Sequence, residues 1–267
     1  MEGIKVESAS YSYDNGYTAV DNVSLEVKKG ENLAIIGQNG AGKTTLVKMF
    51  NGLLRPQKGK IYVDNEDVST MTVAQISRKV GYVFQNPGDQ IFNPTVYDEI
   101  AYTPRYFKME EKQVDAQVRS AAELCNIVGY LKLNPYDLPF SLRKFVTIAS
   151  VIAMGTEHII LDEPTAGQDL FGLRQQKKII NALIGRGKTV ITITHDMEFV
   201  ADNFSRVVVM ADKKIIADRT KREVFWDFEI LEKSSIKQLY VSMLAKELGI
   251  PNHVISIDEF IDEVNRK

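Results

Sequence analysis

Two stretches of this chain carry residue types whose spacing could do chemistry. The first is Gly37-Gln38-Asn39-Gly40-Ala41-Gly42-Lys43-Thr44, the pattern G-x-x-x-x-G-K-[ST], placed between an apolar run over 33–36 and a helix-spaced segment over 44–50. Glycines here let backbone N–H groups curl around a β-phosphate, Lys43 reaches the β and γ oxygens, and Thr44 can offer its hydroxyl to Mg²⁺. Asn39, Gly40, Ala41, Gly42 and Thr45 complete the phosphate-binding set. The second stretch is His158-Ile159-Ile160-Leu161-Asp162-Glu163, an apolar strand ending in two acids. Such an ending is commonly a solvated edge. Downstream of a phosphate loop it reads differently: Asp162 stands beside the bound Mg²⁺, and Glu163 stands where a carboxylate polarises an attacking water.

The elements that must position these groups alternate along the chain. Residues 4–35 read as short strands broken by Asp14-Asn15-Gly16 and Lys28-Lys29-Gly30, an antiparallel beginning. Further strands are expected over 60–63, 80–84, 158–161, 189–194 and 206–210, with a helix near 173–184. Buried-type strands alternating with helices imply a parallel sheet covered on both faces. A polar, helix-rich stretch runs from about 96 to 153, with 113–128 its clearest amphipathic segment. After Asp212 the character changes. Ile236, Leu239, Tyr240, Met243 and Leu244 make an apolar helical stripe, and Ser256 with Glu259 forms a capping box before a last helix. These residues, 221–267, read as a small helical appendage that packs on its own domain or serves as a dimerisation surface.

Bulk properties narrow the function classes. The chain has 267 residues, 44% of them apolar and 25% charged, enough for a sizeable core. No apolar run reaches about eighteen residues, and the opening MEGIKVESASYSYDNG lacks the profile of a signal peptide, so a membrane role is expected to come through a partner. The formal charge of −2 comes from interspersed charges rather than blocks, which argues against nucleic acid as a partner. The single cysteine, Cys125, sits in a helical pattern, reads as core and allows no disulfide.

With Gln85 following one apolar strand and His195 another, joining Lys43, Asp162 and Glu163, the chain resembles the ATPase subunits of ABC transporters over roughly residues 4–220. The resemblance implies an α/β ATPase with a mixed, mainly parallel core sheet, an antiparallel β subdomain, a helical subdomain near 96–153, and ATP and Mg²⁺ as cofactors. It makes residues 1–220 the ATPase domain. By the family pattern Gln85 touches Mg²⁺ and the attacking water, His195 contacts the γ-phosphate, and the loop Thr165-Ala166-Gly167-Gln168-Asp169 crosses a dimer interface. Tyr13 looks like the aromatic that stacks on adenine, with Tyr11 as the alternative. Read alone, His195 is an ordinary strand-end histidine and Tyr13 an ordinary packing residue. The stretch Gln85-Asn86-Pro87-Gly88-Asp89-Gln90-Ile91-Phe92-Asn93-Pro94-Thr95-Val96 is similar to its counterpart in energy-coupling-factor and cobalt or nickel importers. That likeness implies a second ATPase subunit, a transmembrane coupling subunit docked beside this stretch, a vitamin or metal ion as solute, and a peripheral place on the cytoplasmic face of the membrane.

One departure stands out. The family signature Leu-Ser-Gly-Gly-Gln is absent; Leu138-Pro139-Phe140-Ser141-Leu142 stands in its place. Pro139 brings neither hydroxyl nor N–H, and Phe140 puts a large ring where close backbone approach is needed. A donor acting in the transition state is worth about 2.7–4 kcal/mol, so two losses slow hydrolysis by roughly a thousandfold or more if they add. The expectation is therefore a heterodimer, in which a homologue with an intact signature closes over this chain's Lys43, Thr44, Gln85, Asp162, Glu163 and His195. The competing readings are a regulatory subunit with little turnover and a soluble ATPase of cofactor assembly.

Overall fold

The computed structural model describes residues 2–250 and 253–266. Ten strands, β1 (Gly3–Ser12), β2 (Thr18–Lys28), β3 (Asn32–Ile36), β4 (Lys58–Val63), β5 (Glu66–Asp67), β6 (Val80–Val83), β7 (His158–Asp162), β8 (Thr189–Ile193), β9 (Arg206–Ala211) and β10 (Lys214–Thr220), form two sheets. In β1, β2 and β4 buried and exposed positions largely alternate, and these strands pair antiparallel with β5 in the order β2-β1-β4-β5. Alternation of this kind marks a sheet with one face on the core and one toward water. β6, β7 and β8 are buried at every position and lie in the second sheet, ordered β10-β9-β3-β8-β7-β6. All its pairings are parallel except β9 with β10. Strands buried on both faces need cover on both, and the alternate side chains supply it. Ala34, Ile36, Ile159, Leu161, Val207 and Val209 point into the helical layer; Leu33, Ile35, Ile160, Ile191, Val208 and Met210 point toward the antiparallel sheet.

Helices α1 (Lys43–Phe50), α2 (Val73–Ile76), α3 (Val96–Tyr106), α4 (Glu111–Leu124), α5 (Phe140–Ala153), α6 (Leu170–Gly185) and α7 (Met197–Asn203) precede a C-terminal run of four. The starts of α3, α6 and α7 are set by side-chain caps: Thr95 accepts from the Asp98 N–H, Asp169 from Gly172 and Asp196 from Phe199. Each such cap satisfies a backbone donor that the helix itself cannot, worth about 1 kcal/mol. The amphipathic segment expected over 113–128 is shorter and begins earlier. α4 ends at Leu124 because Asn126 takes a left-handed backbone (φ 58°) and the chain turns. Cys125 lies buried in the helical core, where burial pushes its thiol pKa up.

The last segments are α8 (Lys221–Trp226), α9 (Phe228–Lys233), α10 (Tyr240–Glu247) and α11 (Ile257–Asn265). α8 opens on a full capping box between Thr220 and Glu223, whereas only half of the box expected at α11 forms: Ser256 accepts from the Glu259 N–H, but the Glu259 carboxylate accepts from the Ile255 N–H instead. Val224, Phe225, Leu231 and Leu239 are buried in the same core as α3 to α6. The stripe expected from Ile236 to Leu244 is corrected. The helix begins only at Tyr240, because Leu239 is extended (φ −65°, ψ 131°), and Tyr240, Met243 and Leu244 face outward while Ser242 and Ala245 are buried. β10 also lay beyond the sequence reading: only Ala217 among its residues is buried, so it carries little apolar signal. Phe225→Ala should lower stability by about 3–5 kcal/mol in urea unfolding, the cost of a large core truncation. A loss under about 1 kcal/mol would mean that α8 is a detachable appendage.

Candidate functional site

Pairing register brings the carboxyl ends of four strands to one edge. Ile35 of β3 pairs with Ile193 of β8, Asp162 of β7 pairs with the same Ile193, and Leu161 pairs with Val83 of β6. The phosphate loop, Asp162-Glu163, His195 and Gln85 all follow directly from these ends, the place where α/β sheets bind ligands. A cleft of about 240 Å³ lies here, with Tyr13, Asn39, Lys43, Thr44, Gln85 and Glu163 among its walls.

The loop fits a phosphate by its backbone. Gly37 and Gly42 have φ of 150° and 100°, and a Cβ on either would collide with the carbonyl of Met210 or Ala19. α1 has no side-chain cap, so its first-turn N–H groups face the cleft as donors for an anion. Lys43 Nζ donates to the Gly37 and Gln38 carbonyls (2.7 and 2.9 Å), which folds its ammonium under the loop. Burial lowers its pKa, against the raising influence of Glu163 and Asp162.

Asp162 is buried and gripped from one side. Tyr82 donates its hydroxyl to Oδ2 at 2.6 Å, while Oδ1 lies 3.4 Å from Thr44 Oγ1 and faces the loop. Desolvation first, then the neighbouring Asp162 charge, raises the Tyr82 pKa, so it stays a donor. Glu163 occupies a left-handed backbone (φ 49°), a strained choice for a residue with a Cβ, costing on the order of 1–2 kcal/mol. His195 Nδ1 lies 2.8 Å from Glu163 Oε2, close enough to pair when the ring is protonated. The angle does not make a hydrogen bond, however, and among the described residues no donor is aligned on this buried oxygen. An uncompensated buried acceptor costs about 1–3 kcal/mol, and its position beside the exposed His195 suits a bound water.

Surrounding side chains fasten this edge. Thr165 and Thr194 hydroxyls meet at 2.9 Å, tying the loop after β7 to the strand before His195. Gln90 accepts from the Phe84 N–H and donates to the Thr147 carbonyl and Ser150 hydroxyl of α5, so the exposed Gln85 sits in a clamped loop. The Glu99 carboxylate accepts from the N–H groups of Phe92 and Asn93. At α5 the signature position touches the loop after β7, while Phe140 stays 43% exposed. A Cβ on Gly167 would lie 2.9 Å from the Phe140 ring, Gln168 donates to the Ser141 carbonyl at 3.1 Å, and the buried Lys144 donates to the Glu163 carbonyl. Burial lowers the Lys144 pKa to about 8, partly offset by Glu163 and Asp162.

The family model for the ABC transporter matches residues 20–166. The energy-coupling factor transporter ATP-binding protein of Methanocaldococcus jannaschii is 34% identical over 94% of this chain and 91% of its own length. The chain belongs to the ABC transporter family. A putative ABC transporter ATP-binding protein of Caldanaerobacter subterraneus is 38% identical over 98% of this ABC chain, which spans only 46% of that relative's length. The chain likewise covers less than half of several other curated relatives. The solved structure of cbiO1 from Clostridium perfringens, part of the ABC transporter complex cbiONQ, superposes with a TM-score of 0.79. It is 31% identical, covering 94% of this chain and all of the other. Membership accounts for the α/β fold with its two sheets.

The structure brings Lys43, Thr44, Thr45, Gln85, Asp162, Glu163 and His195 to the same edge of the ABC chain, with Gly37, Asn39, Gly40, Ala41 and Gly42 in the loop. Tyr13 lines the cleft and shares a 3.0 Å contact with the Thr45 hydroxyl. Tyr11 packs edge-on against Tyr13 in the antiparallel layer and is not among the cleft residues. Sequence reasoning missed Tyr17, which lines the cleft and donates to the Gly40 carbonyl, because it follows a turn and belongs to no motif. It also missed Tyr82, Gln90 and Lys144, whose roles depend on contacts across elements. His253 is exposed and stacks on Trp226, ring centroids 4.7 Å apart. Tyr82→Phe should lower unfolding free energy by about 1.5–3 kcal/mol, because Asp162 loses a donor to a charged acceptor. An unchanged value in denaturant titration would count against that bond.

Proposed function

We propose that this chain is the ATP-hydrolysing subunit of an energy-coupling-factor type importer of a vitamin or metal ion, paired with a second ATPase that carries an intact signature. One observation carries the reading. A complete set of phosphate, metal and water groups surrounds Lys43, while at the chain's own signature position Pro139 has no N–H to donate and the exposed Phe140 ring stands beside Gly167. Lys43 and the loop N–H groups hold the phosphates, and Tyr13 takes the adenine, with Tyr17 beside it. Thr44, Asp162 and Gln85 are all-oxygen donors with one carboxylate, a set that suits Mg²⁺ completed by phosphate oxygens. When bound, Mg²⁺ supplies charge neutralisation at the β and γ oxygens. Glu163 orients the water that attacks the γ-phosphorus, and His195 donates to the γ-phosphate.

The partner readings rest on surface chemistry. Leu53, Val73, Phe84, Phe92 and Tyr102 line a trough of about 230 Å³ beside the Gln85 loop, with Phe92 and Tyr102 edge-to-face at 4.7 Å. Exposed aromatics next to the loop that reaches the cleft suit the cytoplasmic helices of a transmembrane coupling subunit. No described helix is long and apolar enough to cross a membrane, so the chain reaches the cytoplasmic face through that partner. A regulatory subunit with little turnover shares the altered signature but leaves the Glu163 and His195 arrangement without use.

The purified chain should bind Mg-ATP yet hydrolyse it slowly. Replacing Pro139→Ser, Phe140→Gly, Ser141→Gly and Leu142→Gln together should raise the rate at least about tenfold by restoring transition-state donors. No gain, with fold and ATP binding intact, would contradict the heterodimer. So would rapid turnover by the wild-type chain alone that Glu163→Gln abolishes.

A further inference from the structure

Among the described residues, Lys144 is the side chain that joins the helix bearing the signature position to the backbone of the water-orienting glutamate. It lies in the first turn and a half of α5, is 1% exposed, and sends its ammonium to the Glu163 carbonyl with the Phe140 ring 5.8 Å away. A buried ammonium is expensive to desolvate, and an apolar side chain of the same length would fill the space more cheaply. Packing therefore gives no reason for a lysine. The geometry at Glu163 does. Its left-handed backbone persists only if neighbours over-determine it, and three contacts do so: its N–H donates to Ile193 at 2.8 Å, and its carbonyl accepts from Ala166 at 3.3 Å and from Lys144. Of these, only the lysine comes from outside the strand-end loops. The negative field of Glu163 and Asp162 also favours a cation there.

We infer that Lys144 is a positioning residue for hydrolysis: through the Glu163 carbonyl it fixes the direction of the Glu163 carboxylate. Because α5 begins at the signature position, closure of a partner over Phe140 and the Gly167 loop is passed by this lysine to the group that orients water. The inference rests on the hydrolytic reading above, and it adds a residue that acts through Glu163 without touching nucleotide.

The test uses the complex purified from membranes through a tag on this chain, with Lys144→Met, Lys144→Gln, Glu163→Gln and the Lys144→Met/Glu163→Gln double variant. Lys144→Met should lower kcat roughly ten- to a hundredfold, the scale of a misplaced reacting group, with the KM for ATP and the melting temperature at wild-type values. Lys144→Gln, which keeps a donor, should recover part of the rate. In single-turnover measurements the double variant should be no slower than Glu163→Gln alone. An unchanged kcat in Lys144→Met overturns the inference, as does additivity with Glu163→Gln. It also falls if both Lys144 variants lose ATP binding or melting temperature in step with rate, which would mark the lysine as structural. If Glu163→Gln leaves the rate untouched, the functional reading itself fails; if it abolishes turnover while Lys144→Met does nothing, only the role of Lys144 fails.

Discussion

Two acidic side chains, Asp162 and Glu163, end a strand that is covered on both faces, and carboxylates withdrawn from water in this way must be compensated by donors and cations at close range. Much of the site is an answer to that constraint. Tyr82, one strand over, donates to Asp162. The ammonium groups of Lys43 and Lys144 lie on different sides of the pair, each depressed in pKa by burial and each supported by the two negative charges. The parallel register of β6, β7, β8 and β3 places all of these partners at one edge. Lys43 and Lys144 belong to helices on different layers, so the compensation also binds the layers together.

On the proposed function, the same arrangement divides the chain's two contributions to a pair of nucleotide sites. Around Lys43 the glycine backbone, the oxygen donors and an acceptor without an aligned partner are assembled as a working site would need. The head of α5 is chemically different: Pro139 provides no donor, and the exposed Phe140 ring stands beside Gly167. Gln168 and Lys144 add polar ties from the same helix to the loop after β7. The signature segment is thus not merely altered in composition. It is engaged in cis, and its contacts lead to Glu163.

The parts legible in the sequence were those whose physics is local. The phosphate loop announces itself because only glycine tolerates φ of 100–150° against a neighbouring carbonyl. The fully apolar strands announce a two-sided core, and Ser256 announces a helix start. Contacts between distant residues were not legible. Tyr82 sits in an apolar strand and looks like core until Asp162 is placed beside it; Lys144 looks like a surface charge on an amphipathic helix. The stripe from Ile236 to Leu244 misled because apolar spacing alone does not reveal where a helix begins, and the extended Leu239 shifts the outward face. β10 was silent because an edge strand needs few buried side chains.

The account's central claim is that one of the two nucleotide sites built with this chain is competent and the other is not. The direct measurement is the fate of nucleotide in a complex loaded with two ATP per ATPase pair, chased and quenched after a single turnover. One ADP and one retained ATP per pair is the expected result. Two ADP formed at equal rates would contradict the account and make the segment Leu138 to Leu142 a functional signature.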